Sequence, residues 1–84
     1  MNFVIVSVKD SAAQAFGRPI FVPSNAVAIR SFRDEVNRKD STDDLSRHPD
    51  DFELYQLGVF DDATGVIEVF EPNLLARAKD LKES

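Results

Sequence analysis

The stretch Phe52-Glu53-Leu54-Tyr55-Gln56-Leu57-Gly58-Val59-Phe60, then Asp61-Asp62-Ala63-Thr64-Gly65, then Val66-Ile67-Glu68-Val69-Phe70 decides the fold. Its two arms are rich in aromatic and aliphatic residues and are too short for helices, so both read as strands. The segment between them carries turn chemistry. Asp61 can open a type I turn, and Gly65 can take the left-handed position that a hairpin bulge needs. The reading is an antiparallel hairpin.

Working outward toward the C-terminus, Pro72 suits the first turn of a helix. Leu74, Leu75, Ala78 and Leu81 then line one side of a short C-terminal helix, with Arg77, Lys79 and Lys82 outside. Toward the N-terminus, residues 40–51 are polar, with Leu45 as the single obvious anchor. A connection of this length reads as a mobile polar loop with scope for a functional role. Before it, Ile29, Phe32 and Val36 recur at spacings of three and four, which predicts an amphipathic helix from Asn25 to about Arg38 with Ser24 as its N-cap. Phe16 to Pro23 holds two prolines, which push their neighbours toward extended geometry. It reads as an extended connection that carries Phe16 and Phe21 onto the core. Phe3 to Val8 reads as a strand covered on both faces, not as a signal peptide, because no basic region precedes it.

The order is strand, helix, strand, strand, helix. It predicts a single α+β domain over residues 1–84, with a three-stranded, mainly antiparallel sheet, one main amphipathic helix and a short C-terminal helix. The chain of 84 residues is 43% hydrophobic and 30% charged, an ordinary globular mix. It has no cysteine, hence no disulfide, thiolate zinc site or cysteine nucleophile. No apolar run approaches the ~18 residues of a membrane span. A small sheet with two exposed edges and no staple favours oligomerisation, and a homodimer is the expectation.

The net charge of −5 conceals an asymmetry. Residues 1–39 carry six basic groups against three acidic ones, whereas 40–71 carry ten acidic groups and one Arg. One reading is a solvated acidic face that keeps a small protein soluble. The sharper one is a two-ended molecule, basic enough at one end to touch phosphates and acidic enough at the other to meet a basic partner.

Catalytic signatures are missing. The single histidine, His48, sits among Asp43, Asp44, Asp50 and Asp51, but a lone loop histidine beside aspartates is usually solvent-exposed. With three glycines in all, there is no phosphate-cradling loop, dinucleotide fingerprint or nucleophile elbow. Asp61 to Gly65 lacks the spacing of a calcium loop. The expectation is therefore no enzyme, no cofactor and no metal. Binding chemistry remains. Arg30 and Arg33 sit one turn apart, with Arg38 and Lys39 at the helix end and Arg18 in the preceding connection. Arginines so spaced can reach successive phosphates. Phe16, Phe21 and Tyr55 offer stacking faces for unpaired bases. The competing reading places these aromatics in the core and pairs the arginines with Asp34, Glu35 or the acidic stretch.

Three stretches together carry a resemblance: Phe16-Gly17-Arg18-Pro19-Ile20-Phe21; Asn25-Ala26-Val27-Ala28-Ile29-Arg30-Ser31-Phe32-Arg33-Asp34; and His48-Pro49-Asp50-Asp51-Phe52-Glu53-Leu54-Tyr55-Gln56-Leu57-Gly58-Val59-Phe60-Asp61 with Thr64-Gly65. Over about residues 3–80 the chain resembles the small nonstructural protein of gokushoviruses, the tailless single-stranded DNA phages of the Microviridae. The resemblance implies a bacteriophage protein made in the infected cell, in the host cytoplasm, and absent from the virion shell. It also implies a part in viral single-stranded DNA synthesis or genome packaging, with single-stranded DNA and phage replication or capsid assembly proteins as partners. It supplies no catalytic residues. Placing DNA contact on Arg18, Arg30, Arg33, Arg38 and Lys39 follows from charge and spacing alone. The alternative function is a protein–protein adaptor that uses the acidic 40–71 surface without touching DNA.

Overall fold

The computed structural model describes residues 2–39 and 44–83. Strand β1 (Asn2–Asp10) lies at the centre of the sheet beside β4 (Phe52–Asp61), and β5 (Val66–Arg77) pairs with the far side of β4. The other side of β1 is taken by two short strands laid end to end, β2 (Ala15–Phe16) and β3 (Ile20–Val22). Every pairing is antiparallel. Helix α1 (Asn25–Val36) packs on one face, and two single helical turns, α2 (Asp44–Arg47) and α3 (Ala78–Leu81), close its end.

The α+β class, the β4–β5 hairpin, β1 and the main helix follow the sequence reading. Ser24 caps α1 as expected, its Oγ accepting the Val27 N–H at 3.2 Å. Gly65 takes φ +77°, and Asp61 holds the turn by accepting from Gly65 N and, through Oδ1, from Ala63 N. Three expectations need correction. The sheet has five strands, not three, because the proline-flanked segment around Phe21 is extended enough to hydrogen-bond to Val4–Val6 of β1. The C-terminal helix is only Ala78–Leu81, since β5 runs on through Pro72 to Arg77. Three β5 residues, Phe70 to Pro72, bulge out opposite the single Leu57, so the missing proline N–H falls where the ladder is already broken. Finally, Phe16 and Phe21 do not enter the core; they are 40% and 51% exposed. Of the stretch read as a mobile loop, residues 40–43 lie outside the described residues. The remainder forms α2 and a 3-10 turn, Pro49–Asp51, with Leu45 packed on the core as anticipated.

The core is small and lies on one side of the sheet. Ala28, Phe32 and Val36 of α1 meet Val6 of β1, Leu54 of β4 and Ala78 of α3. The alternation of strand side chains places Val4, Val6 and Val8 toward the helix, and Phe3, Ile5, Ser7 and Lys9 away from it. Two polar clasps fasten the C-terminus to this unit. The Asn37 Nδ2 donates to Arg33 O at 3.0 Å and to Leu81 O at 2.9 Å, while its Oδ1 accepts from Glu83 N at 2.7 Å. Lys82 Nζ donates to Val36 O and Ser46 O, satisfying a carbonyl that the end of α1 leaves open.

Two glycines are required for different reasons. At Gly58 a Cβ would overlap the Glu68 carbonyl oxygen and sit 3.2 Å from Val69 Cα, so the backbones of β4 and β5 would have to part. At Gly65 there is open space, and only the dihedral matters. Gly58→Ala is therefore expected to cost about 1–3 kcal/mol in urea unfolding, as overpacking does. Gly65→Ala should cost roughly 1–2 kcal/mol, and Gly65→Asn should recover most of it because Asn tolerates the left-handed region. A Gly58→Ala protein as stable as the parent would refute the close approach.

Candidate nucleic-acid interface

The face of the sheet opposite α1 carries the aromatic side chains. The register puts Phe3 opposite Phe60, Ile5 opposite both Gly58 and Phe21, Ser7 opposite Tyr55, and Lys9 opposite Glu53 and Phe16. All of these therefore share one face. Their rings meet in two groups, Phe3 with Phe60 and Phe21, and Phe16 with Tyr55. Phe3 and Phe60 have centroids 6.4 Å apart, Phe21 meets Phe60 edge-on at 5.5 Å, and Phe16 meets Tyr55 edge-on at 5.4 Å. Tilted and edge-on contacts are the favourable arrangements for aromatic quadrupoles, so the rings hold one another in place. None of the helices α1–α3 packs over this face, and Ile67, Val69 and Leu74 of β5 extend it.

Cations border the aromatic row. Lys9 Nζ lies 5.6 Å from the Phe16 ring centroid, within cation–π range. Arg77 Nε is 3.5 Å from Glu53 Oε2 across the β4–β5 ladder. The same carboxylate accepts from the Tyr55 hydroxyl at 3.2 Å. Burial pushes the Tyr55 phenol above its ordinary pKa of 10.0; the hydrogen bond to Glu53 and that residue's charge add to the rise, and Arg77 opposes it. Ser7, buried between the rows, donates from Oγ to Gly17 O at 2.7 Å and so ties the β2–β3 connection to β1.

The cations picked out by sequence spacing lie elsewhere. Arg30 and Arg33 are exposed on the side of α1 that faces away from Ala28, Phe32 and Val36, and hence on the opposite side of the sheet from the aromatic row. Arg38 Nη1 lies 3.3 Å from Glu35 Oε2 in an exposed pair, the kind worth little, and Lys39 follows it. Arg18 is exposed in the connection between β2 and β3, at the border of the sheet. Of the aromatics, Phe16 and Tyr55 are brought together, and Phe21 joins Phe60. Sequence reasoning missed Phe3, Phe60, Lys9 and Arg77. For the first three the signal was the β1–β4 register, since Phe3 opposite Phe60 and Lys9 opposite Glu53 follow once the two strands are aligned; Arg77 falls opposite Glu53 only in the β4–β5 ladder.

Beneath α1, an apolar groove of about 150 Å³ runs along Val8, Val22, Phe32 and Leu54, with Glu35 at its rim. It brings no acid–base pair together. No three His, Asp or Glu side chains among the described residues come close enough to hold a metal ion. No helix among them is long and apolar enough to cross a membrane.

Because the chain has one tyrosine and no tryptophan, Tyr55 can be followed alone. Folding favours its protonated form, so the associated stability is complete below the unfolded tyrosine pKa, near 10, and is lost as pH rises through the higher folded value. Tyrosinate absorbance during alkaline titration should give a midpoint above that of free tyrosine. Glu53→Gln should lower the midpoint without restoring the free value, because burial is the larger cause. A free-tyrosine midpoint in the folded parent would contradict this geometry.

Comparison with known proteins agrees with the resemblance in the sequence. The family model described as Phage ORF5 protein matches residues 3–81. Protein ORF5 of Chlamydia phage 1, a gokushovirus, is 39% identical over 67 residues, covering 77% of this chain and 70% of the relative. No solved structure matches.

Proposed function

The chain belongs to the Phage ORF5 protein family, and from that premise we propose that this phage protein is a non-enzymatic, single-stranded DNA-binding accessory factor in genome synthesis or packaging. The observation that carries the reading is the aromatic face with no helix over it, on which Phe16 and Phe21 are exposed and Tyr55, Phe60 and Phe3 are half-buried. Such a face suits unpaired bases, which present ring faces for stacking, and does not suit duplex DNA, whose bases are already stacked. Lys9 on this face, and Arg18 exposed in the connection at its border, offer cations to the phosphates of a strand lying there. Arg30 and Arg33, exposed and without an ion-pair partner among the described residues, add attraction from the far side of the molecule.

Charge supports the choice of a small contact over a broad electrostatic one. The chain is net acidic, so non-specific phosphate attraction is weak, and affinity must come from stacking helped by a few local cations. Tyr55 makes this testable without a label. Single-stranded oligonucleotide should quench its fluorescence saturably, and a matched duplex should not. Phe16→Ala or Phe21→Ala should weaken binding by about 1–3 kcal/mol. Arg30→Ala with Arg33→Ala should slow association and flatten the salt dependence, yet leave quenching at saturation intact. No change in Tyr55 emission or in anisotropy with either nucleic acid, even at low salt, would end the DNA reading. The role would then pass to the acidic 40–71 surface as a protein–protein adaptor.

A further inference from the structure

Eight of the nine large apolar side chains exposed among the described residues lie on the two edges of the sheet. Phe16, Ile20 and Phe21 stand on the β2–β3 edge. The other five are on β5, with Val69 the most exposed at 74%. The two edges carry opposite charge. From Ser11 to Arg33 there is no Asp or Glu, and Arg18 lies on that edge. From His48 to Ala76 there is no Lys or Arg, and Glu68 and Glu71 lie on β5, whose one basic residue, Arg77 at its end, is paired with Glu53. One edge is thus apolar and basic, the other apolar and acidic.

From these edges we propose that the chain associates head-to-tail, the β5 edge of one copy against the β2–β3 edge of the next, so that successive copies share one continuous sheet. The topology permits it. β3, β1, β4 and β5 alternate in direction. With an even number of alternating strands, β5 and the β3 of an identically oriented neighbour run antiparallel. Faces are preserved, so Phe21 of one copy comes beside Ile67 and Val69 of the next, and Arg18 comes toward Glu68 and Glu71. Pro19 and Pro23 limit the backbone ladder on the β3 side to Ile20–Val22, so side-chain contact carries the joint. Pairing like edges is worse. β5 against β5 brings Glu68 and Glu71 toward their own copies, and β3 against β3 offers three residues a side. Contacts between unlike patches do not close on two copies; they continue as an open series or a ring.

The association needs no DNA and is measured without it, so it stands or falls separately from the function proposed above. Light scattering of the full chain should show an average mass that climbs past two copies with concentration and falls as salt is added. Phe21→Asp blocks one edge and Val69→Asp the other. Each alone should raise the dissociation constant roughly ten- to a hundred-fold, as expected for one lost apolar contact. Mixed in equal amounts, they should form a species of two copies, joined by the intact β5 edge of the first and the intact β3 edge of the second. If Phe21→Asp does not fold, Arg18→Glu in the exposed connection serves as the first partner. A parent mass that stops at two copies and survives Phe21→Asp but not Val69→Asp would overturn the proposal in favour of a β5–β5 dimer. A monomer at every concentration would also overturn it.

Discussion

The contact of Ala28, Phe32 and Val36 with Val6 and Leu54 is the interaction on which the rest of the structure depends. A helix of twelve residues spans only about 18 Å, whereas the twelve residues of β5 span roughly 40 Å. One helix of that length covers part of one face and leaves the remainder of the sheet without a second layer. The core is correspondingly thin: among the described residues its buried apolar side chains larger than alanine are Ile5, Val6, Phe32, Val36 and Leu54. This explains the polar clasps at the chain end. Asn37 and Lys82 together make hydrogen bonds that secure α3, and with it the last residues of β5, to the end of α1. It also explains the buried Gln56, whose Oε1 accepts from Asn25 Nδ2 at 3.0 Å and fixes the start of α1 over β4 where little apolar surface does so.

Legibility in the sequence follows from how local each cause is. The helix was readable because its cap and its apolar stripe both lie within fourteen residues of chain, Ser24 to about Asn37. The hairpin was readable because Gly65 and Asp61 act within the turn itself. Strands β2 and β3 were not, because they are two and three residues long and owe their extended pairing to a partner, β1, that is already in place. The path of β5 beyond Pro72 was misread for a related reason. A proline followed by leucines at helical spacing has the local pattern of a helix start. What overrides it is pairing with β4: the strand breaks from the ladder over Phe70 to Pro72, opposite Leu57, and Asn73 and Leu74 rejoin it opposite Gln56 and Tyr55.

The candidate site divides in the same way. One-turn spacing correctly places Arg30 and Arg33 together on the exposed side of α1. It contains no information about which side of the sheet that helix will occupy, so it joined those arginines to Phe16, Phe21 and Tyr55, from which the sheet separates them. Aromatic character was equally ambiguous. Seven phenylalanines in so short a chain look like core, and Phe32 is. Phe21 lies between Ile20 and Val22, which take the helix side opposite Val6 and Val4, and Phe16 lies opposite Lys9 on the other face, so the alternation of side chains turns both rings away from the core.

Exposure of so many rings carries a solubility cost, and the sequence answers it with charge placed beside each apolar strip. Glu53, Arg77 and Lys9 border the aromatic row; Glu68 and Glu71 punctuate β5. Ordinary surface protection would intermix both signs along every edge. Here the signs are segregated, basic near β2 and β3 and acidic along β5, which guards each edge against its own kind while leaving it open to the other. The aromatic face keeps its direction across such a joint, because alternating strands reproduce the same face in each successive copy. A thin core on one side of the sheet and an aromatic face without a covering helix on the other are therefore two results of the same cause, a sheet larger than the helix that covers it.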